Sequence, residues 1–227
     1  MSTLASALQM ARRRIELAAQ AAGRDCSDIQ LLAVSKTWPA PLLREAWQAG
    51  QRAFGESYVQ ESVQKMGQLS DLRIEWHFIG PIQSNKARAV AENFAWVHSV
   101  DREKVAARLA AARPPSLAPL NVCLQINLNG EATKSGISPL GAPRLARFVA
   151  GLPHIRLRGL MAIPQQESDP AAQRASFGRL HDLKVRIESE GVPLDTLSMG
   201  MSSDLEAAIL EGATIVRIGT AIFGHRT

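Results

Sequence analysis

The chain has 227 residues, of which 46% are hydrophobic, so it is long enough to bury a full core as one domain. Its formal net charge of +5 would suit an anionic partner, but aromatic residues make up only 5% and the basic residues are scattered. This composition argues against nucleic-acid binding. Because no apolar run is long enough to cross a membrane and no signal peptide is visible, we expect a cytoplasmic monomer without membrane contact.

Apolar periodicity predicts a leading helix followed by a regular alternation of strands and helices. The leading helix covers residues 3–22, with Gly23 behind it as a C-terminal stop. The predicted strands cover residues 29–34, 52–56, 74–79, 94–100, 120–128, 156–163, 196–199 and 214–218. The helices that follow them cover residues 39–49, 57–66, 85–93, 101–113, 139–151, 169–190 and 204–211. Side chains predicted to cap helix starts are Ser57, Ser84, Asp101, Asp169 and Ser202 or Ser203.

Eight strand–helix units in this length predict a closed (β/α)₈ barrel of the TIM type, with an extra N-terminal helix, forming one domain over residues 1–227. A doubly wound open sheet is the structural alternative. It is weakened because no GxGxxG or GxxxxGK[ST] motif follows any predicted strand.

The first predicted strand ends in a lysine. An apolar run, 29–34, is followed by Ser35-Lys36-Thr37 and stopped by Pro39, which is typical of a parallel strand buried on both faces. The C-terminal ends of barrel strands carry the chemistry, and a lysine amine there can attack a carbonyl to form a Schiff base. The alternative is a lysine that only extends its ammonium into solvent, and position alone favours this alternative.

The loops after the seventh and eighth strands have the composition of a phosphate site. In TIM barrels these two loops commonly hold phosphate, with help from the N-terminus of a helix. The first loop contains Ser202 and Ser203, for which helix capping is an equally good interpretation. The second contains Gly219, which lets a ligand approach the backbone, and Thr220, which adds a hydroxyl. With a lysine at a strand end, this pattern suggests a phosphorylated carbonyl compound as ligand.

Seven segments together resemble the pyridoxal phosphate homeostasis proteins, the YggS/PROSC-like family. They read LLAVSKTWP, FGESYVQE, WHFIGPIQSNKAR, VHSVDR, CLQINLNGEATKSGI, RGLMAIP and LSMGMSSDLEAAILEGATIVRIGTAIFG, and they run from about residue 29 to residue 224. The resemblance implies a barrel like the N-terminal domain of alanine racemase. It also implies that pyridoxal 5′-phosphate (PLP) is held as a Schiff base on Lys36.

The resemblance further implies which residues contact the cofactor. Met201, Ser202, Gly219 and Thr220 would surround the phosphate, and Arg217 would face the pyridine nitrogen. Ser57 is a departure, because the family usually has Asn there, and a contact made by the longer amide would be lost.

The resemblance and the residues together predict a carrier, buffer or regulator of PLP without substantial turnover. An arginine can only donate to the ring nitrogen, which leaves the ring a weak electron sink. Tyr58 is the only tyrosine, and the domain that supplies the opposing base in alanine racemase is not visible in the sequence. Candidate recipients of PLP are PLP-dependent apo-enzymes. The alternatives are a small racemase-like PLP enzyme, an aldolase-type barrel acting on a sugar phosphate, and a regulator that uses PLP as a signal.

Several other residues have side chains that could serve a chemical role. His77 could line the barrel mouth or pack in the core, and we predict no metal site because the remaining histidines, His98, His154, His181 and His225, lack metal-ligand spacing. Lys134 lies in a polar loop that either contacts the site or is solvated, and the solvated loop is favoured. Cys26 and Cys123 are far apart, which favours a reduced protein, and Cys26 has no activating neighbour.

Overall fold

A computed structural model describes residues 3–131, 135–165 and 167–224. Strands and helices alternate after a leading helix, in the predicted order. The helices are α1 (Thr3–Ala21), α2 (Ala40–Gln48), α3 (Val59–Gln68), α4 (Ala87–Asn93), α5 (Glu103–Ala112), α6 (Ala142–Ala150), α7 (Pro170–Ser189), α8 (Leu205–Leu210) and α9 (Thr220–Phe223). No helix of the described residues is long and apolar enough to cross a bilayer.

The strands form a closed parallel barrel in which each strand pairs with the next along the chain. They are β1 (Gln30–Val34), β2 (Ala53–Glu56), β3 (Glu75–Phe78), β4 (Trp96–Val100), β5 (Leu120–Ile126), β6 (Ile155–Ala162), β7 (Thr196–Ser198) and β8 (Ile215–Ile218). Pairing of β1 with β8, from Gln30 opposite Ile215 to Ala33 opposite Ile218, closes the ring. The predicted TIM-type (β/α)₈ barrel with an additional N-terminal helix is therefore confirmed.

Alternation along each strand separates the buried residues into two layers. One face of each strand packs against the helices, as Phe54 and Phe78 do, and contributes to the main core. The other face fills the barrel interior with a smaller apolar cluster of Leu32, Ala53, Trp96, Cys123, Met161 and Ile215. The barrel is thus a packed core rather than a pore, and ligands are confined to its mouths.

The predicted N-caps were mostly wrong. Asp169 does cap α7, because its carboxylate accepts from the N–H groups of Ala171 and Ala172. In contrast, α3, α4, α5 and α8 each begin one or two residues later than predicted, after Tyr58, Lys86, Arg102 and Asp204, with no side-chain capping bond. The four corrected predictions are Ser57, Ser84, Asp101 and the pair Ser202 and Ser203. The short helix α9 was not predicted.

Candidate functional site

A cavity of about 340 Å³ opens at the C-terminal end of the barrel, where the sequence placed the chemistry. Six of the seven predicted site residues line this one cavity. They are Lys36 after β1, Met201 and Ser202 before α8, Arg217 on β8, Gly219 directly after β8, and Thr220 on α9. The cavity joins an amine, a guanidinium and three hydroxyl-bearing residues against an apolar wall that includes Val34, Trp38 and Ile79.

The turn that carries Lys36 has an unusual backbone. Lys36 lies just after β1, two residues beyond Val34 and four beyond Leu32, and continuing the alternation of the strand directs its side chain toward the barrel interior and mouth. The next residue, Thr37, has φ of 70°, a left-handed conformation that is unfavourable for a β-branched side chain. Such a conformation persists only where the surroundings enforce it.

A buried ion cluster behind the turn enforces it. Lys65 of α3 donates to the Ser35 carbonyl at 2.8 Å and pairs with both Glu56, at 2.8 Å, and Glu61. Glu61 accepts from the Thr37 N–H at 2.6 Å. The cluster therefore holds the main chain on both sides of Lys36.

Burial raises the pKa of Glu56, whose side chain is fully buried, although the ammonium of Lys65 and the hydroxyl of Ser35 counteract this effect. The Ser35 hydroxyl donates to Glu56 Oε1 at 2.7 Å. Glu56 Oε2 is buried without a hydrogen-bond partner among the described residues. An unsatisfied oxygen of this kind costs stability, so Lys65 is the cation on which the burial of Glu56 depends.

Arg217 is held rigidly at the other wall. Its Nη1 donates to the carbonyl and the hydroxyl of Ser198, at 2.6 and 2.8 Å, and its Nη2 donates to the Ala162 carbonyl at 2.9 Å. Complete burial lowers the pKa of the guanidinium to about 10, and the nearby Asp204 carboxylate opposes this shift. Arg217 remains a cation at neutral pH and can only donate hydrogen bonds.

The loop before α8 leaves its serines available to the cavity. Asp204 Oδ1 accepts from the Met201 N–H at 2.6 Å, which removes that N–H as a donor to a ligand. Because neither Ser202 nor Ser203 caps α8, both side chains line the cavity instead. At Gly219 an added Cβ would lie 3.3 Å from the Val34 Cβ, a tight contact that a larger residue could make only if β1 shifted slightly.

A second cavity, of about 470 Å³, adjoins the first and shares Lys36, Ile79 and Ile163 with it. Ser57 lines this second cavity, whereas the loops of Ser202 and Thr220 line the first; Lys36 lies between the two cavities. Its backbone packs so closely on Gly80 that a Cβ at Gly80 would lie 2.3 Å from the Ser57 carbonyl oxygen. Tyr58 also lines this cavity, with about half of the residue exposed (53%).

Comparison with known proteins identifies the family. The family model for the alanine racemase N-terminal domain matches residues 7–227. The pyridoxal phosphate homeostasis protein of Pseudomonas aeruginosa is 59% identical over 226 residues, which cover 100% of this chain and 97% of the relative. The Escherichia coli protein of the same name is 50% identical over 229 residues, covering 100% of this chain and 98% of the relative. The chain belongs to the pyridoxal phosphate homeostasis family.

The similarity extends to a solved structure. PipY of Synechococcus elongatus, solved with PLP bound, superposes with a TM-score of 0.84 at 36% identity. The match covers 98% of this chain and 100% of PipY. The resemblance stated from the seven sequence segments is thereby confirmed.

In this member of the pyridoxal phosphate homeostasis family, sequence reasoning missed two polar groups. One is the cluster of Glu56, Glu61 and Lys65. The other lies inside the barrel, where His77 and His98 are both fully buried and hydrogen-bonded to each other at 2.9 Å. His77 is thus a core histidine and does not line the mouth. For His77 the signal was present in strand β3, in which polar and apolar residues alternate, whereas β4 shows no such alternation around His98.

The remaining predicted residues lie away from the two cavities or outside the described part of the chain. Lys134 and His225 are among the residues that are not described, whereas Glu131 lines the second cavity. Within residues 3–131, 135–165 and 167–224, no three histidine, cysteine or acidic side chains cluster as metal ligands do. Cys26 is exposed, and burial raises the pKa of the Cys123 thiol to about 12.

Proposed function

We propose that this protein binds PLP as a Schiff base on Lys36 and acts in intracellular PLP homeostasis as a carrier or buffer, without substantial catalytic turnover. The observation that carries the proposal is the convergence of Lys36, Arg217 and the loops of Ser202 and Thr220 on one cavity. The names of the close relatives and the PLP bound by PipY support it.

The residues of the cavity suit each part of PLP. The hydroxyls of Ser202 and Thr220, with the exposed backbone at Gly219, would bind the phosphate. Arg217, on the opposite wall, would donate to the pyridine nitrogen. Met201 would contribute packing, because its N–H already bonds to Asp204, and Ser57 would contact the cofactor from the second cavity.

Lys36 supplies the covalent link. Its Nζ, as a free amine, would form the C=N bond to the aldehyde carbon of PLP, and the aldehyde oxygen would leave as water with the two amine protons. The reverse reaction, or exchange with another amine, releases the cofactor. The ion cluster of Glu56, Glu61 and Lys65 holds the main chain on both sides of Lys36, so the amine starts from a fixed backbone position.

Order-of-magnitude energies indicate that tight binding of PLP depends on the covalent bond to Lys36. Three or four hydrogen bonds to a charged phosphate contribute about 1.5–3 kcal/mol each. Immobilising a ligand costs on the order of 4–15 kcal/mol in total, which offsets most of that gain. The covalent bond to Lys36 would therefore supply the retention, and its reversibility would permit release to apo-enzymes.

Absence of turnover is part of the proposal. When bound, PLP acts as an electron sink for carbanions, and it does so best with a protonated ring nitrogen. Arg217 keeps its protons and is fixed by three hydrogen bonds, so it would leave that nitrogen unprotonated. We further propose that the barrel forms one domain over residues 1–227 and that the protein is a cytoplasmic monomer.

Absorption spectroscopy of the purified protein tests the binding proposal. Protein loaded with PLP and desalted should show the visible band of a lysine Schiff base, which borohydride abolishes. The variant Lys36→Ala should lose the band. Lys104→Ala, at an exposed lysine of α5, is the matched control and should retain it. A colourless wild-type protein would contradict PLP binding and favour the aldolase alternative.

A racemase-like PLP enzyme is the second candidate function, and the position of Tyr58 favours it. Two-sided proton transfer needs a second base opposite the lysine, and Tyr58 lies on the wall of the cavity next to Lys36. Incubation of the PLP-loaded protein with single L-amino acids, followed by analysis of chirality, keto acids and amines, separates the two functions. Multiple turnovers lost in Tyr58→Phe would establish the enzyme, whereas a carrier shows none.

A further inference from the structure

A continuous chain of polar side chains runs through the barrel interior behind Arg217. It starts at Glu75 on β3, whose carboxylate reaches the N-terminal end of the barrel with its side chain 41% exposed. Glu75 Oε1 lies 2.7 Å from His77 Nε2, and His77 Nδ1 lies 2.9 Å from His98 Nε2. His98 Nδ1 lies 2.8 Å from Ser198 Oγ, which also accepts from Arg217 Nη1 at 2.8 Å.

The two ends of the chain set the direction of every hydrogen bond. Arg217 can only donate, so Ser198 Oγ accepts from it, and the hydroxyl still has its own proton to donate to His98 Nδ1. His98 then carries its proton on Nε2 and donates to His77 Nδ1.

At the other end the carboxylate of Glu75 requires a donor, which is the Nε2–H of His77. The hydrogen bond from His77 lowers the pKa of Glu75, which keeps this group an acceptor. For neutral rings this bond makes His77 Nδ1 an acceptor from His98 Nε2–H and His98 Nδ1 an acceptor from Ser198. The Glu75 end therefore fixes the tautomer of both rings, and the Arg217 end is compatible with it.

Both histidines are neutral in this arrangement. Complete burial lowers the pKa of His77 and lowers that of His98 well below its ordinary value. The charged groups near the chain are Glu75 at one end and Arg217 at the other, with Asp204 beside Arg217. A protonated His98 would face both Arg217 and His77, and so the neutral tautomer is the only one compatible with the buried guanidinium.

We infer that Glu75, His77, His98 and Ser198 form a relay that positions the Arg217 guanidinium for the ring nitrogen of the bound cofactor. The inference rests on the proposed PLP function, and it assigns these four residues a positioning role that extends the site to the opposite end of the barrel. Ser198 fixes one edge of the guanidinium through both its hydroxyl and its carbonyl, while the Ala162 carbonyl fixes Nη2. The relay orients the Ser198 hydroxyl so that its lone pairs face Arg217.

Substitutions at His98 separate positioning from packing. His98→Leu fills the buried position with an apolar side chain and removes the acceptor for Ser198. His98→Asn restores an acceptor at the position of Nδ1, because its amide oxygen occupies nearly the same place. Ser198→Ala removes the hydroxyl itself. Ser62→Ala deletes an equally buried serine hydroxyl, which donates to the Tyr58 carbonyl on α3, and serves as the matched control.

The readouts are PLP affinity and the absorption maximum of the bound cofactor. We expect His98→Leu and Ser198→Ala to bind PLP about 10-fold more weakly, the loss of one hydrogen bond to a charged group, with a shifted absorption maximum. His98→Asn restores the acceptor, so its PLP affinity should lie within about 3-fold of the wild type. Its absorption maximum should equal that of the wild type. Ser62→Ala should match the wild type.

Equal binding and spectra in His98→Leu, His98→Asn and the wild type would overturn the relay, as would equal losses in the Leu and Asn variants. Failure of the wild-type protein itself to bind PLP would instead contradict the proposed function. Nitrogen-15 NMR of the ligand-free protein tests the relay without cofactor and without variants. His77 and His98 should both be neutral with the proton on Nε2, and a proton on Nδ1 of either ring would overturn the assignment.

Discussion

Lys36 and Arg217 reach the same cavity from neighbouring strands of the barrel, but the protein supports them in different ways. Behind Lys36, an ion cluster outside the barrel wall acts on the main chain through the Ser35 carbonyl and the Thr37 N–H. Behind Arg217, acceptors inside the barrel bond directly to the guanidinium. One residue is positioned through its backbone and the other through its side chain.

The difference follows from what each side chain would do. An amine that forms and releases a covalent bond must move along its reaction path, so only its backbone can be fixed. A guanidinium that only donates a hydrogen bond works best when its own atoms are fixed. The ion cluster behind Lys36 uses buried charges, which are costly to leave unpaired, whereas the chain behind Arg217 uses neutral histidines. The two regions should consequently respond differently to mutation and to pH.

The largest effect is expected from breaking the ion cluster. Lys65→Met should lower the free energy of unfolding by about 3–5 kcal/mol, because Glu56 is left as a buried charge without its cation. Chemical denaturation of the two proteins at neutral pH measures the difference.

The double variant Lys65→Met with Glu56→Met provides the control for this experiment. Removing both members of a buried pair is often close to neutral, so it should recover most of the stability lost in the single variant. A single variant that loses less than about 1 kcal/mol would show that solvent already reaches the cluster and that it does not clamp the Lys36 turn.

An intermediate effect is expected at the exposed side of the cavity. The double variant Ser202→Ala with Thr220→Ala should weaken PLP binding about 30-fold, or about 2 kcal/mol, since two donors to the phosphate are lost. Pyridoxal lacks the phosphate and is the matched ligand, and its affinity should change little. Equal losses for the two ligands, measured by fluorescence titration, would show that these hydroxyls only shape the loops.

The smallest effect per residue is the pH dependence of stability contributed by each histidine of the buried pair. The folded-state pKa values of His77 and His98 lie below the unfolded value of 6.5, so the unfolded chain binds more protons as the pH falls through that value. Stability from each ring is present above pH 6.5 and decreases below it, by up to about 1.4 kcal/mol per histidine between pH 7.5 and 5.5.

Urea denaturation across this pH range checks the prediction. His98→Asn should reduce the pH dependence by the contribution of one histidine. His181→Gln, at an exposed histidine of α7, should retain the wild-type dependence. A wild-type protein equally stable at pH 7.5 and 5.5 would mean that the two rings are not buried as neutral groups.

Much of this architecture was predictable because strand and barrel signals are local. The apolar run before Lys36 and the glycines behind the helices are visible in the sequence. Helix caps such as Ser57 and Asp101 were misplaced because a cap depends on the backbone geometry of the turn, which the residue type alone does not determine.

Residues supporting the site were harder to find because they depend on contacts distant in sequence. Lys65 reaches Ser35 across 30 residues, and His98 reaches Ser198 across 100. The residues adjacent in sequence to Lys65 or His98 do not indicate that Ser35 or Ser198 will be the partner. The polar–apolar alternation of β3 showed only that His77 would lie on the opposite face from Trp76 and Phe78.

Identification of the lysine that carries the cofactor tests the central claim most directly. The PLP-loaded protein would be reduced with borohydride, digested and mapped by mass spectrometry. The account predicts a single major pyridoxyl group on Lys36, at the end of β1 and beside Arg217. A pyridoxyl group found mainly on Lys134, or on any other lysine, would contradict it.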